Sequence, residues 1–161
     1  AIDRHGGQVN KLLGDGILAY FPQREADSAV AAATDILEEM SRRRKRASGA
    51  SPHHLLYGGI GLSNGMVYEG SIGHALKRDF TILGNTVNLA SRLESLTRQL
   101  HVQLTANASV VNRSRASWGF QSLGARSLKG QSRSLAIFGL KHLEPLHVDE
   151  LYRQIKEFLR S

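Results

Sequence analysis

Apolar side chains recur along this chain with two periods, and each change of period marks an element. Ala26, Ala29, Val30, Ala33, Ile36, Leu37 and Met40 fall three and four apart. That spacing predicts a helix over 27–46 with a single apolar stripe, and its alanines suit close packing on a sheet. Val87, Ala90, Leu93 and Leu96 make a second stripe and predict a helix over 85–100. A third stripe, Val148, Leu151, Tyr152, Ile155, Phe158 and Leu159, follows Pro145 and predicts an amphipathic terminal helix.

Between these helices the apolar runs are short and bounded by turn residues. Residues 8–13 and 17–21 read as two strands joined through Gly14-Asp15-Gly16 into a hairpin. Simple alternation places Val9, Lys11 and Leu13 on one face and Asn10 and Leu12 on the other. Residues 55–62 and 66–72 read as a second hairpin, because Ser63-Asn64-Gly65 contains the Asn-Gly pair that tight hairpins favour. A loop is expected at 47–52 and another at 73–78. Further strands are expected at 79–83, 102–104, 118–123, 125–128 and 135–140, the last at a sheet edge, with a short helix at 108–113. Residues 1–5 read as the last turn of a helix, stopped at Gly6-Gly7. Hairpins mixed with helices and a crossover predict an α+β fold, one sheet with helices on one face.

Composition narrows the function. The chain has 161 residues, of which 41% are hydrophobic and 22% charged, the profile of one ordinary globular domain. It has no cysteine, which excludes disulfide scaffolds, zinc fingers and thiol catalysis. No apolar run is long enough for a membrane span, so a cytoplasmic domain is expected. The net charge of +7 suits a polyanionic ligand. Five of the cations form one run, Arg42 to Arg46, which reads as a solvated face. Sparse aromatics, 6% of the chain, argue against a nucleic-acid surface.

Two constellations carry candidate chemistry. Lys11 and Asp15 lie on one hairpin, with the carboxylate at a glycine turn where a hydrated divalent cation can approach. Spacing alone does not separate this from an ordinary Asp-Gly turn. Asn88 and Arg92 are four apart on one helix face, and an amide beside a guanidinium can hold a sugar oxygen and a phosphate. A solvated polar face, with Arg92 paired to Glu94 or Asp79, fits the same spacing.

Three blocks in order separate these readings. The segment His5-Gly-Gly-Gln-Val-Asn-Lys-Leu-Leu-Gly-Asp-Gly-Ile-Leu-Ala-Tyr-Phe21 resembles the hairpin of class III adenylate/guanylate cyclase catalytic domains. The segment Gly59-Ile-Gly-Leu-Ser-Asn-Gly-Met-Val-Tyr-Glu-Gly-Ser-Ile-Gly73 resembles the hairpin that follows it in that family. The segment Arg78-Asp-Phe-Thr-Ile-Leu-Gly-Asn-Thr-Val-Asn-Leu-Ala-Ser-Arg-Leu-Glu94 resembles the family's signature helix. The resemblance implies a ferredoxin-like cyclase fold over residues 1–141, with residues 142–161 a C-terminal amphipathic helix. It implies adenylate cyclase activity in intracellular signalling, making cyclic AMP and pyrophosphate from ATP with two Mg²⁺ or Mn²⁺ ions. It also implies a head-to-tail homodimer with sites at the interface.

Carried over, Lys11 and Thr81 recognise the base, and threonine at the second position resembles the IIIb subgroup. Asn88 orients the ribose, Arg92 stabilises charge on the phosphates, and Asp15 is the second of two metal aspartates. Lys129 and Gln131 both lie near the family's further phosphate-binding lysine, and neither is assigned. The family's first metal aspartate lies on an earlier strand, and no residue before Asp15 matches it. The resemblance therefore implies an N-terminally incomplete sheet, showing a gap or that gap filled, and little turnover by residues 1–161 alone. The alternative is an inactive nucleotide-binding or dimerisation module of the same fold. A diguanylate cyclase is disfavoured, because Gly14-Asp15-Gly16 lacks that family's Gly-Gly-Asp/Glu-Glu-Phe turn.

Overall fold

The computed structural model describes residues 1–22, 26–47, 55–74, 77–129, 133–140 and 148–160. A single 3-10 turn, Asp3–His5, ends at Gly6, whose φ of +74° is the left-handed conformation of a helix stop. It leads into β1 (Gln8–Leu13) and β2 (Gly16–Tyr20), an antiparallel hairpin. Next come the long helix α1 (Ala26–Arg46) and a short strand β3 (Ile60–Leu62). Strands β4 (Tyr68–His74) and β5 (Lys77–Leu83) form a second hairpin, followed by α2 (Asn85–Gln99). Strand β6 (Leu104–Asn107), α3 (Ala108–Arg113), β7 (Phe120–Arg126), β8 (Leu135–Leu140) and α4 (Val148–Phe158) complete the chain.

The strands group as β1-β2, β4-β5 and a four-stranded sheet in the order β3-β6-β8-β7. Within the last, β3 runs parallel to β6 and the other pairs are antiparallel. Ala26, Val30, Ala33 and Leu37 of α1 pack on Leu104, Ala106 and Leu140. Leu89, Leu93 and Leu96 of α2 pack on Ile137, and Thr105 Oγ1 donates to Leu93 O at 2.6 Å. Leu104 and Ala106 alternate with Thr105 along one strand, so α1 and α2 cover opposite faces of this sheet rather than the single face expected.

Five local readings are corrected. The strand expected from 55 to 62 is ordered as a ladder only at Ile60–Leu62. Gly58 and Gly59 precede it, and the Leu56 carbonyl accepts from Arg44 Nη1 at 2.9 Å instead of from a strand. The Asn64-Gly65 turn does not close a hairpin: β3 pairs with β6, and β4 pairs with β5 through seven register pairs. The loop expected at 73–78 is thus mostly hairpin, with 75–76 outside the described residues. Strand β8 lies between β6 and β7, not at an edge, while the two runs at 118–128 merge into β7 through an irregularity after Ser122. The loop expected at 47–52 falls outside the described residues beyond Ala47.

Strands β2 and β3 are not paired with each other. A cavity of about 370 Å³ lies between them, walled by Leu18, Tyr20, Leu62 and Ser63 and by small residues of both long helices, Ala26, Ala29 and Ala90. Among the described residues, β2 and β3 thus belong to separate sheets. The hairpin β1-β2 is held instead by β5 and by the docking of the first turn on α1. There Asp35 accepts from Arg4 Nη2 at 3.2 Å and meets His5 Nε2 at 2.9 Å.

Asp27 ties α1 to the chain before β7. Its carboxylate accepts from Trp118 Nε1 at 2.7 Å and from the Arg115 and Ala116 amides at 2.9 and 3.4 Å. These bonds, the Trp118 one above all, hold its pKa below the ordinary carboxylate value. A depressed pKa makes the contribution complete above the unfolded value and lost as pH falls through the folded one. Asp27→Ala is expected to cost about 2 kcal/mol, a melting temperature lower by roughly 4–8 °C. Thermal melts should show the deficit at pH 7 and its shrinkage once pH drops below 3.8, the ordinary value.

Candidate active site

The first hairpin is not a regular ladder. Val9 lies opposite Ala19, yet Lys11 lies opposite Leu18, leaving Asn10 with no residue across from it. This bulge reverses the alternation. Lys11 and Leu13 share a face with Leu18, while Val9 and Leu12 share the other with Ile17. Grouping Val9 with Lys11, as simple alternation does, is therefore wrong. Lys11 is half-buried and enters none of the ion pairs among the described residues. Gly14 takes a φ of +66° at the turn, and Asp15 stands exposed at its tip.

The helix α2 starts at a conformation that glycine suits. Gly84 has a φ of +144°, and its carbonyl accepts from the Val87 and Asn88 amides. Thr86 Oγ1 donates to Met66 O at 2.8 Å, which fastens the helix start to the chain before β4. With Leu89, Leu93 and Leu96 buried, the helix turns Asn88 outward and leaves Arg92 half-buried. None of the ion pairs among the described residues uses Arg92, so the Glu94 pairing that fits its spacing is not made. The Asp79 side chain lies outside the described residues.

Thr81 sits on β5 opposite Gly70 and is only 7% exposed. Strand β1 packs along β5, so Lys11 and Thr81 occupy neighbouring strands, and α2 packs on β3, β6 and β5. Lys11 and Thr81 thus sit on contacting strands, Asp15 at the tip of the first hairpin, and Asn88 and Arg92 on α2. Lys129 is exposed between β7 and β8, and Gln131 lies outside the described residues.

Asp15 carries a carboxylate, a hard oxygen donor of the kind that Mg²⁺ and Mn²⁺ take. Among the described residues no three His, Asp or Glu side chains come together. Alternation missed one feature here. Both Asn10 amide heavy atoms are shielded from solvent and have no hydrogen-bond partner.

The adenylate and guanylate cyclase catalytic domain family model matches residues 14–142. An adenylate cyclase of Anabaena cylindrica is 32% identical over 88% of this chain, which corresponds to 29% of that protein. The structure of a bacterial light-regulated adenylyl cyclase superposes with a TM-score of 0.90 at 37% identity, over 98% of this chain and 46% of that one. The adenylyl cyclase CyaB from P. aeruginosa shares the fold, with a TM-score of 0.72 at 24% identity over 89% of this chain and 76% of that one. The chain therefore spans less than half the length of the first two.

Proposed function

The chain belongs to the adenylate and guanylate cyclase catalytic domain family, and from that premise we propose that it converts ATP to 3′,5′-cyclic AMP and pyrophosphate for intracellular signalling. The observation that carries this reading is the polar face of α2, where Asn88 and Arg92 stand one turn apart outside the ion-pair network. In the reaction the ribose 3′-oxygen bonds to the α-phosphorus and the bond to the pyrophosphate oxygen breaks. Little covalent work falls to the protein, so placing donors where charge develops is the main lever. Asn88 orients the ribose and Arg92 meets charge growing on the phosphates. Asp15 serves as a ligand for a divalent cation, Mg²⁺ or Mn²⁺.

Lys11 and Thr81 choose the base. An ammonium donates to adenine N1, an acceptor, whereas guanine N1 carries a proton that repels it. The Thr81 hydroxyl accepts from the 6-amino group or donates to a carbonyl oxygen, so it discriminates softly, as a IIIb-like site would.

Two copies complete the site on this reading. Lys11, Thr81 and Asp15 of one copy face Asn88 and Arg92 of the other in a head-to-tail homodimer. Tyr68 and Leu83, paired across β4 and β5, are 68% and 50% exposed with Met66 beside them, a patch suited to a partner. Residues 1–141 act as the catalytic domain and 142–161 as a C-terminal helix. No helix among the described residues is long and apolar enough to cross a membrane.

Turnover of ATP against GTP by the full-length polypeptide tests this reading. A preference for ATP with incomplete rejection of GTP is expected, and Lys11→Glu combined with Thr81→Cys should erode it. Faster use of GTP would overturn the assignment of Lys11. A second reading is a nucleotide-binding or dimerisation module without turnover. ATP binding without cyclic AMP formation, even with Mn²⁺, would favour it, and residues 1–161 alone are expected to turn over little.

A further inference from the structure

We propose that Thr86 is a positioning residue for Asn88, fixing the first turn of α2 from which that amide works; this rests on the reading of Asn88 as the residue that orients the ribose. Asn88 is the fourth residue of α2, which begins at Asn85. A helix start leaves its first amides without intrahelical acceptors, and a capping side chain ordinarily accepts from them. Here the cap position is Gly84, which has no side chain to do so. A first turn without a cap frays easily, and Asn88 would move with it. Arg92 stands one turn deeper, where Leu89 and Leu93 are buried on either side of it in sequence.

The Thr86 hydroxyl supplies a tether in place of the cap. Its Oγ1 donates to the Met66 carbonyl at 2.8 Å. Two glycines let the segments come this close. A Cβ on Gly65 would stand 2.6 Å from Thr86 Oγ1, and one on Gly84 would stand 3.2 Å from the Met66 carbonyl oxygen. The acceptor lies on a segment that is itself held. Ser109 Oγ of α3 donates to Asn64 Oδ1 at 3.2 Å, and β3, ending at Leu62, is laddered to β6. Thr86 thus fastens the start of α2 to the chain leaving the four-stranded sheet.

The consequence falls on geometry more than on stability. Met66 is exposed and Thr86 half-buried, so water competes for both partners of this bond and its net contribution to folding is small. In-line attack is far less tolerant. A positioning group displaced by about 1 Å can cost up to about a hundredfold in rate. Loosening the first turn shifts Asn88, and with it the ribose whose 3′-oxygen must line up with the α-phosphorus. Thr86 touches neither substrate nor metal on this reading and acts only through Asn88.

Thr86→Val in the full-length polypeptide keeps the shape of the side chain and removes the donor. It is expected to lower kcat about tenfold, with KM within about twofold and the melting temperature within about 3 °C of the parent. Thr86→Ser, which keeps the hydroxyl, should restore kcat to within about twofold. Combined with Asn88→Ala, Thr86→Val should cost no more than about twofold further, because the residue it acts through has gone. A parental kcat in Thr86→Val overturns the proposal. So does a serine variant as slow as the valine one, or a full tenfold further loss in the Asn88→Ala background. A parent protein that forms no cyclic nucleotide from ATP or GTP overturns the reading of Asn88 itself, and the proposal with it.

Discussion

Arg92→Ala is expected to lower kcat by about 10²- to 10³-fold while KM changes little, the signature of an interaction made mainly in the transition state. The side chain is half-buried on the polar side of α2, and its apolar neighbours Leu89 and Leu93 face the other way. Folding should therefore survive, with a melting temperature within a few degrees of the parent. Subunit mixing sharpens the test. An Arg92→Ala copy paired with a Lys11→Ala copy leaves one site with both residues intact. With random pairing half the dimers are mixed, and each keeps one of two sites. Steady-state rates should thus recover to roughly a quarter of the parent level. Two individually inactive variants that stay inactive on mixing would refute the shared site.

The largest effect on stability is expected from a glycine. Gly61 sits in β3 where α2 crosses it, and an added Cβ would fall well inside 3.0 Å of the Ala90 carbonyl oxygen and the Glu94 amide nitrogen. These are backbone atoms of a packed helix, so they cannot swing aside as a side-chain tip can. Gly61→Ala must push α2 away from β3, displacing the helix that carries Asn88 and Arg92. A cost of about 3 kcal/mol or more is expected, with cyclase turnover falling in step. Gly70→Ala is the control: Gly70 has open space around the new Cβ, and the change should stay within roughly 0.5 kcal/mol. Urea midpoints for the two variants compare them directly.

What could be read from the sequence follows the range of the interactions. Periodicity is local, so α1 and α2 were legible to within a residue or two of Ala26–Arg46 and Asn85–Gln99. Strand partners are not local. The Asn64-Gly65 pair signalled a hairpin, but β3 found β6, some forty residues on, because α2 could pack across both. The merging of two runs into β7 and the interior place of β8 were hidden for the same reason. The opposite placement of α1 and α2 emerges only once Leu104, Thr105 and Ala106 are seen to alternate between them. At the candidate site, residue types were legible through the order of three blocks. The bulge that turns Lys11 away from the Val9 face was not, because one inserted residue leaves no compositional mark.

The break between β2 and β3 also shapes how the molecule's free energy is distributed. Backbone amides in the four-stranded sheet lie between two buried clusters and should exchange with solvent only when much of the domain opens. Those of the first hairpin rest on β5 and the first turn, so they belong to a smaller unit that opens at lower free energy. On the proposed reading, a nucleotide held between Lys11 of one copy and Arg92 of the other must still the first copy's hairpin. A second copy that has already quieted the hairpin removes part of that entropic cost, so occupancy and pairing would reinforce each other without any change in average shape.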